Sequence, residues 1–388
     1  MKTFIPRQII VDKNIATHQK TLEILGKLQD ISYKIVDNIE QEISAFNNQE
    51  DAFYKGKSIL MLTELKGELL KDCPGTNNYL CCGYKILNSG LNCHFNCQYC
   101  YLQDYMSIPF ITVFVNLVKK VDELFQQIGV KEDKKSPPWR GGRFLEKSDG
   151  VGSSGEKRYR IGTGEFTDSL ILDHLTSDSL ELIERVKKYP NIILELKTKS
   201  VNIENLLTIN PPNNIVVSWS VNPQEIIDVF EPDASSLVQR MYAAKQLSEK
   251  GYKVAFHFDP LIYFEGYQKA YAEVVEAIYQ NVQKDKVLWI SMGALRYTKG
   301  MKKILLKRFK GVDKLLIDTV VGDDGKIRYF RPKREELFKA VLSSIKKESP
   351  SQYVYLCMES DLVWQNVFGY APKDDEDFAQ SFDQAVFY

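Results

Sequence analysis

The amino-acid sequence predicts an α/β fold: a partial (β/α)6 barrel of TIM type, open on one side, with a helical N-terminal extension and a C-terminal region that closes the barrel. Three observations predict it. From Tyr84 onward, short apolar and β-branched runs alternate with amphipathic runs of helical period, the pattern of repeated βα units. Residues 1 to 72 instead carry polar helical stretches such as HQKTLEILGKLQDISYKIVDNI and no chemical constellation. A chain of 388 residues with 44% hydrophobic content fills one large core.

Six strands follow from the runs YKILNSG (84 to 90), RYRIGTGE (158 to 165), NIILELKTKS (191 to 200), NIVVSWSVN (214 to 222), YKVAFHFDP (252 to 260) and KVLWISMGALR (286 to 296). Parallel strands need crossovers, and FVNLVKKVDELFQQI, LILDHLTSDSLELIERVKKY, VNIENLL, SSLVQRMYAAKQLSEKG and YQKAYAEVVEAIYQNV supply them. Residues 131 to 157 are rich in glycine and proline and read as a mobile inserted loop. The expected organisation is therefore an extension over 1–72, a barrel over 73–300 and a closing region over 301–388. In the last of these, YLCMESDLVWQNVFG reads as a strand followed by a packing helix, which makes Cys357 structural.

Lys+Arg and Asp+Glu both total 51, which excludes the uniformly basic profile of many non-specific nucleic-acid binders. The neutral total hides an asymmetry. Residues 299 to 334 hold twelve Lys/Arg against four Asp/Glu, 12 − 4 = +8, while the tail from Glu359 is acidic. With Arg296, Tyr297, Phe309, Tyr329 and Phe330, this segment suits a DNA phosphate backbone and a flipped base; a solvated basic face is the alternative. The N-terminus lacks signal-peptide features and no apolar run approaches the roughly 18 residues of a membrane span, so a cytoplasmic protein without a membrane partner is expected.

Six of the seven cysteines lie between Cys73 and Cys100, which suits a metal site better than a disulfide framework. Cys93, Cys97 and Cys100 form a CxxxCxxC triad directly after the first barrel strand, close enough to present three thiols to three corners of a cubane. The fourth iron then lacks a protein ligand, leaving an open position for a cofactor. A zinc site using His94, or simple burial of the thiols, are the alternatives.

This triad, with Tyr99 just before its third cysteine, resembles that of the radical S-adenosylmethionine (SAM) superfamily. The resemblance implies a [4Fe-4S] cluster, SAM chelated at the unique iron, and a 5′-deoxyadenosyl radical made with one electron from a donor such as a flavodoxin or ferredoxin. It also implies that Gly164 and Glu165, which resemble the superfamily's GGE motif, hold the SAM amino group. Among the polar strand ends Lys197, Thr198, Lys199, Ser200, Ser218, Ser220 and Asn222, the favoured ligands for SAM are Lys199 and Ser220.

A narrower resemblance rests on CPGT (73 to 76), CCGYKILNSGLNC (81 to 93), CQYCYLQ (97 to 103), DHLT (173 to 176), TKS (198 to 200), SVN (220 to 222), FEPDASSLVQRMYAAKQLSEKGY (230 to 252) and DPLIYFEGY (259 to 267). Together these resemble the spore photoproduct lyase family. That implies carbon–carbon cleavage of a thymine dimer in DNA, a cysteine that returns hydrogen to the product radical, and two tyrosines, matching Tyr99 and Tyr101, that relay the radical. The family's donor position falls here on Glu165, which has no weak S–H bond. Cys73, Cys81 and Cys82 are possible substitutes, with Cys73 favoured. The departure equally suits a member of the family with a different substrate, and a non-catalytic protein on a degenerate barrel is the reading from another class.

Overall fold

The computed structural model describes residues 3–73, 75, 79–129, 158–322 and 324–387. The expected inserted loop, 131 to 157, and Pro74 and Thr76 of the CPGT turn lie outside the described residues.

Six strands at the expected places, Lys85–Leu87, Tyr159–Gly162, Ile192–Thr198, Ile215–Ser220, Lys253–Leu261 and Val287–Ala294, pair in sequence order and all in parallel. A seventh parallel strand, Val354–Leu356, extends one edge, and antiparallel Leu70–Asp72 extends the other. The sheet is a curled half-barrel whose strands are buried on both faces, as crossover helices on a parallel sheet require. Strand alternation divides those faces. Leu194, Leu196, Val217 and Trp219 join the apolar core, whereas Glu195, Ser218, His257 and Ser291 are buried polar residues on the other face.

The N-terminal stretch departs from expectation. Its helices Gln19–Lys27, Ile39–Asn47 and Ala52–Gly56 alternate with strands Gln8–Asp12, Tyr33–Val36 and Ile59–Thr63, so it is not an all-helical extension. These strands form a second sheet with Ile111–Phe114 and Gly90–Leu91, in the order Tyr33–Val36, Gln8–Asp12, Ile59–Thr63, Ile111–Phe114, Gly90–Leu91. Apolar runs of four or five residues are ambiguous by period alone, and the strand that completes this sheet lies about fifty residues further on. The expected strand over 84 to 90 is also divided: Lys85–Leu87 stays in the barrel, while Gly90–Leu91 pairs with the N-terminal sheet.

The cysteine triad therefore leaves from the seam between the two sheets. After the barrel, Arg296–Tyr297, Ile327–Tyr329 and Thr319–Val321 form a small antiparallel sheet, and helices Arg331–Glu348, Asp361–Phe368 and Asp375–Phe387 pack beyond it. No helix among the described residues is long and apolar enough to cross a membrane.

Candidate active site at the barrel mouth

The loop bearing Cys93, Cys97 and Cys100 is fixed by its backbone and amide side chains. Asn92 adopts the left-handed region at φ 65°, its Nδ2 donating to the Pro109 carbonyl at 2.7 Å and its Oδ1 accepting from the Cys93 amide at 2.8 Å. The Gln103 amide donates to the carbonyls of Gln98 at 2.9 Å, Cys100 at 3.2 Å and Cys97 at 3.3 Å. The Gln98 amide reaches the Phe230 carbonyl at 2.8 Å and Lys57 donates to the Phe95 carbonyl at 2.5 Å, so both halves of the molecule grip the loop.

All three cysteines are free. Burial pushes the Cys93 thiol well up and the Cys97 thiol up to about 12, and neighbouring cysteines add to each shift. Ionising such thiols together requires a compensating cation, which an iron–sulfur cluster supplies. Among the described residues no three His, Cys, Asp or Glu side chains converge to hold a single ion. His94, the candidate fourth zinc ligand, stacks on Phe4 with centroids 5.3 Å apart, and burial, then Lys57, lowers its pKa to about 4. Three free thiols on one loop, with His94 stacked on Phe4, make a donor set that fits an iron–sulfur cluster.

Behind the loop, Glu231 organises a buried network that sequence reasoning missed. The carboxylate is 1% exposed and accepts from the Arg240 guanidinium, the Tyr99 hydroxyl, Lys199 Nζ at 2.8 Å and Asn222 Nδ2 at 3.1 Å. Burial alone raises a carboxyl, but Arg240 and then Lys199 outweigh it and hold Glu231 well below the usual carboxylate range. Lys199 also donates to the Tyr99 hydroxyl at 2.8 Å. An ammonium has three hydrogens, and these contacts use two. Ser220 is buried and its carbonyl accepts from Arg240 Nη1 at 2.8 Å. The sequence hint of Glu231 was its place in FEPDASSLVQRMYAAKQLSEKGY, one of the segments that carry the family resemblance.

Asp168 was a second omission. It accepts from Thr198 Oγ1 at 2.6 Å, the Lys199 amide at 2.7 Å and the Leu170 amide at 3.1 Å, tying the ends of the second and third barrel strands together. Gly164 packs against the end of the third strand, where a Cβ would stand 2.6 Å from the Lys197 carbonyl. The DHLT motif is architectural, since Asp173 accepts from the Ser179 amide and hydroxyl and from Asn205.

On the other side, the Tyr101 hydroxyl contacts the Glu165 carbonyl at 2.7 Å and the Glu165 carboxylate at 3.0 Å. Cys73, Cys100 and Tyr101 pack against one small apolar cluster of Ile86, Leu102 and Phe166. Burial and then Glu165 push both the Cys73 thiol and the Tyr101 phenol well up, so each keeps its hydrogen at neutral pH. A protonated thiol and a protonated phenol therefore share one cluster with the third cysteine of the triad, and Glu165 is hydrogen-bonded to the phenol.

Deeper in the lumen, Arg160 donates to the Tyr355 hydroxyl at 2.6 Å and to Glu195 at 3.4 Å, and His257 joins Glu195 to Ser291. The Tyr84 hydroxyl occupies the space over Gly162, where a Cβ would meet it at 1.5 Å. We expect Gly162→Ala to destabilise the fold by about 3 kcal/mol, the scale of an overpacked core. Urea unfolding checks this, and a loss under 0.5 kcal/mol (about the scatter of a surface change) would contradict the packing. Cys357 accepts from Arg296 Nη2 at 3.7 Å, and Arg296 pairs with Asp259.

The basic segment is less free than its count suggests. Arg328 and Arg334 are buried and paired with Asp324 and Glu359, and Tyr297 and Tyr329 are buried, which removes both rings from base stacking. Phe330 is 53% exposed, beside exposed Val320 and Val321 of the hairpin strand Thr319–Val321.

With this geometry in view, residues 155–352, just over half of the chain, match the family described as spore photoproduct lyase. The chain belongs to the spore photoproduct lyase family. Curated spore photoproduct lyases from Geobacillus sp. (strain Y412MC61) and Bacillus subtilis (strain 168) are each 27% identical over 315 residues, covering 80% and 79% of this chain and 84% and 83% of their own. Family membership makes the protein a lyase. A solved spore photoproduct lyase complexed with dinucleoside spore photoproduct aligns with TM-score 0.73 at 21% identity over 92% of this chain and all of that one. A further structure of such a lyase, with bound AdoMet and dinucleoside spore photoproduct, gives 0.71 at 19% identity, covering 92% and 99%. These two likenesses establish the curled α/β half-barrel.

Proposed function

We propose that this protein is a radical SAM lyase that cleaves a methylene-bridged thymine dimer in DNA, using Cys73 as its hydrogen-atom donor. The carrying observation is that Cys73, Cys100 and Tyr101 pack against one small apolar cluster, with Tyr101 hydrogen-bonded to Glu165, the residue at the family's donor position.

Cys93, Cys97 and Cys100 would hold the [4Fe-4S] cluster. The Gly164 backbone and Glu165 would face the SAM amino group, Lys199 its carboxylate, and Ser220 the cofactor's polar edge. When bound, this pair supplies a 5′-deoxyadenosyl radical that removes one hydrogen atom from the lesion. The chain's own residues do the rest. After the methylene bridge breaks, Cys73 gives its S–H hydrogen to the product radical: a C–H bond forms, the S–H bond breaks, and a thiyl radical remains. Tyr101 restores the thiol by giving up its phenolic hydrogen, and Tyr99 lies on the far side of Cys100 to continue the relay. Glu165 orients the Tyr101 hydroxyl and is a positioning residue for that transfer. The exposed apolar hairpin strand with Val320 and Val321, beside exposed Phe330, suits contact with the DNA around the lesion.

The division of roles between an extension at 1–72, a core at 73–300 and a closing region at 301–388 is part of the same reading. The test is turnover on dinucleotide spore photoproduct. We expect Cys73→Ala to keep SAM cleavage but to lose at least ten-fold in repaired thymine. Unchanged repair by this variant would remove Cys73 from the mechanism, and absence of repair by the unsubstituted protein, with SAM still cleaved, would favour another substrate.

A further inference from the structure

We propose that the helix Lys299–Arg308 is the docking face for an acidic one-electron carrier protein that reduces the cluster. This rests on the cluster reading given under Proposed function and adds the place at which the electron enters.

Residues 299 to 310 hold six Lys/Arg and no Asp or Glu. Lys299, Lys303, Lys307 and Lys310 are exposed, and Leu306, 53% exposed, gives their strip an apolar centre. Among the described residues two carboxylates pair with its cations: Glu50 with Lys307 at 3.5 Å, both side chains well exposed, and Asp51 with Arg308, 3.9 Å from Nε. The Glu50–Lys307 pair, exposed on both sides, exchanges readily for an incoming partner's charges. A small, positively charged patch with an apolar centre is the form expected of weak, electrostatically steered electron-transfer encounters.

The helix is also joined to the cysteine loop at both ends. Thr298 caps its start by accepting from the Met301 amide at 3.1 Å, and its hydroxyl donates to Asp104. Gly300 passes so close that a Cβ would stand 2.5 Å from Asp104 Oδ1. At the other end Arg308 donates to Gln103 Oε1 and to Asn96 Oδ1, the latter at 3.3 Å. Gln103 in turn donates to the carbonyls of Cys97 and Cys100. Two hydrogen bonds thus connect the basic helix to the backbone of two cluster cysteines. A phosphate-binding strip gains nothing from this connection, whereas a reductant needs close coupling to the metal. In the transfer the carrier loses one electron and the cluster gains one, with no group moved.

The test replaces Lys299→Glu, Lys303→Glu and Lys307→Glu together and uses a flavodoxin hydroquinone as the probe. We expect flavodoxin-driven cluster reduction to slow at least ten-fold at low salt, and flavodoxin binding, measured by calorimetry on both iron-loaded and iron-free protein, to weaken by a similar factor. Reduction by dithionite, which needs no docking, and affinity for an undamaged duplex should stay within two-fold. The proposal is overturned by unchanged flavodoxin binding, by an equal loss with dithionite, or by a loss of duplex affinity as large as that for flavodoxin. If the unsubstituted protein forms no cluster, the functional reading falls instead, and binding to the iron-free protein still reports on the docking face.

Discussion

Cys97→Ala should take the iron content of the reconstituted protein from about four per chain to near zero and abolish 5′-deoxyadenosine formation. The fold should survive. Cys97 is buried among apolar neighbours, so losing one sulfur costs about 1–2 kcal/mol in packing, while Asn92, Gln103 and Lys57 hold the loop through contacts that do not involve the thiol. Cys93→Ala and Cys100→Ala should behave alike. Cys73→Ala should retain its iron, which separates a ligand from a donor. Iron analysis with a chemical denaturation curve checks all four variants, and full iron retention by Cys97→Ala would refute the triad as the cluster site.

Glu231→Ala should be the most destabilising single change at the site, costing about 3–5 kcal/mol, because it leaves Arg240 buried with its positive charge uncompensated. Lys199 would lose its fixed position at the same time, so SAM affinity should fall with stability. Glu231→Gln preserves shape and some hydrogen bonds but not the charge, and should fall between the two. The pH dependence follows from the same pair. Glu231 and Glu195 are held below the ordinary carboxylate range, so their stabilisation is fully present above the unfolded value of about 4.3 and is lost as the pH falls toward their folded values. Stability should therefore decline below about pH 5, and Glu231→Gln should flatten that decline while lowering the neutral plateau. Urea midpoints between pH 3 and 7 measure both effects, and an unchanged acid slope in Glu231→Gln would show that the carboxylate is not a main source of the dependence.

The choice of Cys73 over the other thiols depends on its surroundings. Cys81 is pushed up to about 12 by burial and then by Cys82, so it too is protonated at neutral pH. Cys357, also raised to about 12 by burial, takes a guanidinium hydrogen from Arg296. What distinguishes Cys73 is that it shares the small cluster of Ile86, Leu102 and Phe166 with Tyr101 and Cys100, whereas Cys82 packs on the large main core and accepts from Arg160 Nη1 at 3.7 Å. In the sequence Cys73 is favoured because its CPGT turn could approach the barrel mouth, but the reason to prefer it over Cys82 required the fold.

The sequence by itself determined the barrel and the cysteine loop. Each barrel strand is a compact apolar run, every connection but the short VNIENLL carries a helix of clear period, and three thiols at spacings of four and three fall on one loop whatever surrounds it. Local pattern sufficed because the information is local. Tertiary structure alone decided the rest. The N-terminal sheet depends on Ile111–Phe114 completing it across intervening chain, and Glu231 acquires its meaning only when Arg240, Lys199, Tyr99 and Asn222 arrive from other elements. The basic segment divides in the same way. Its lysines and arginines look equivalent along the chain, but burial pairs Arg328 and Arg334 with acids, while the 299–308 helix keeps its lysines in water and its terminal arginine on the cysteine loop. Charge is read from sequence, but its availability is fixed by who is nearby once the chain has folded.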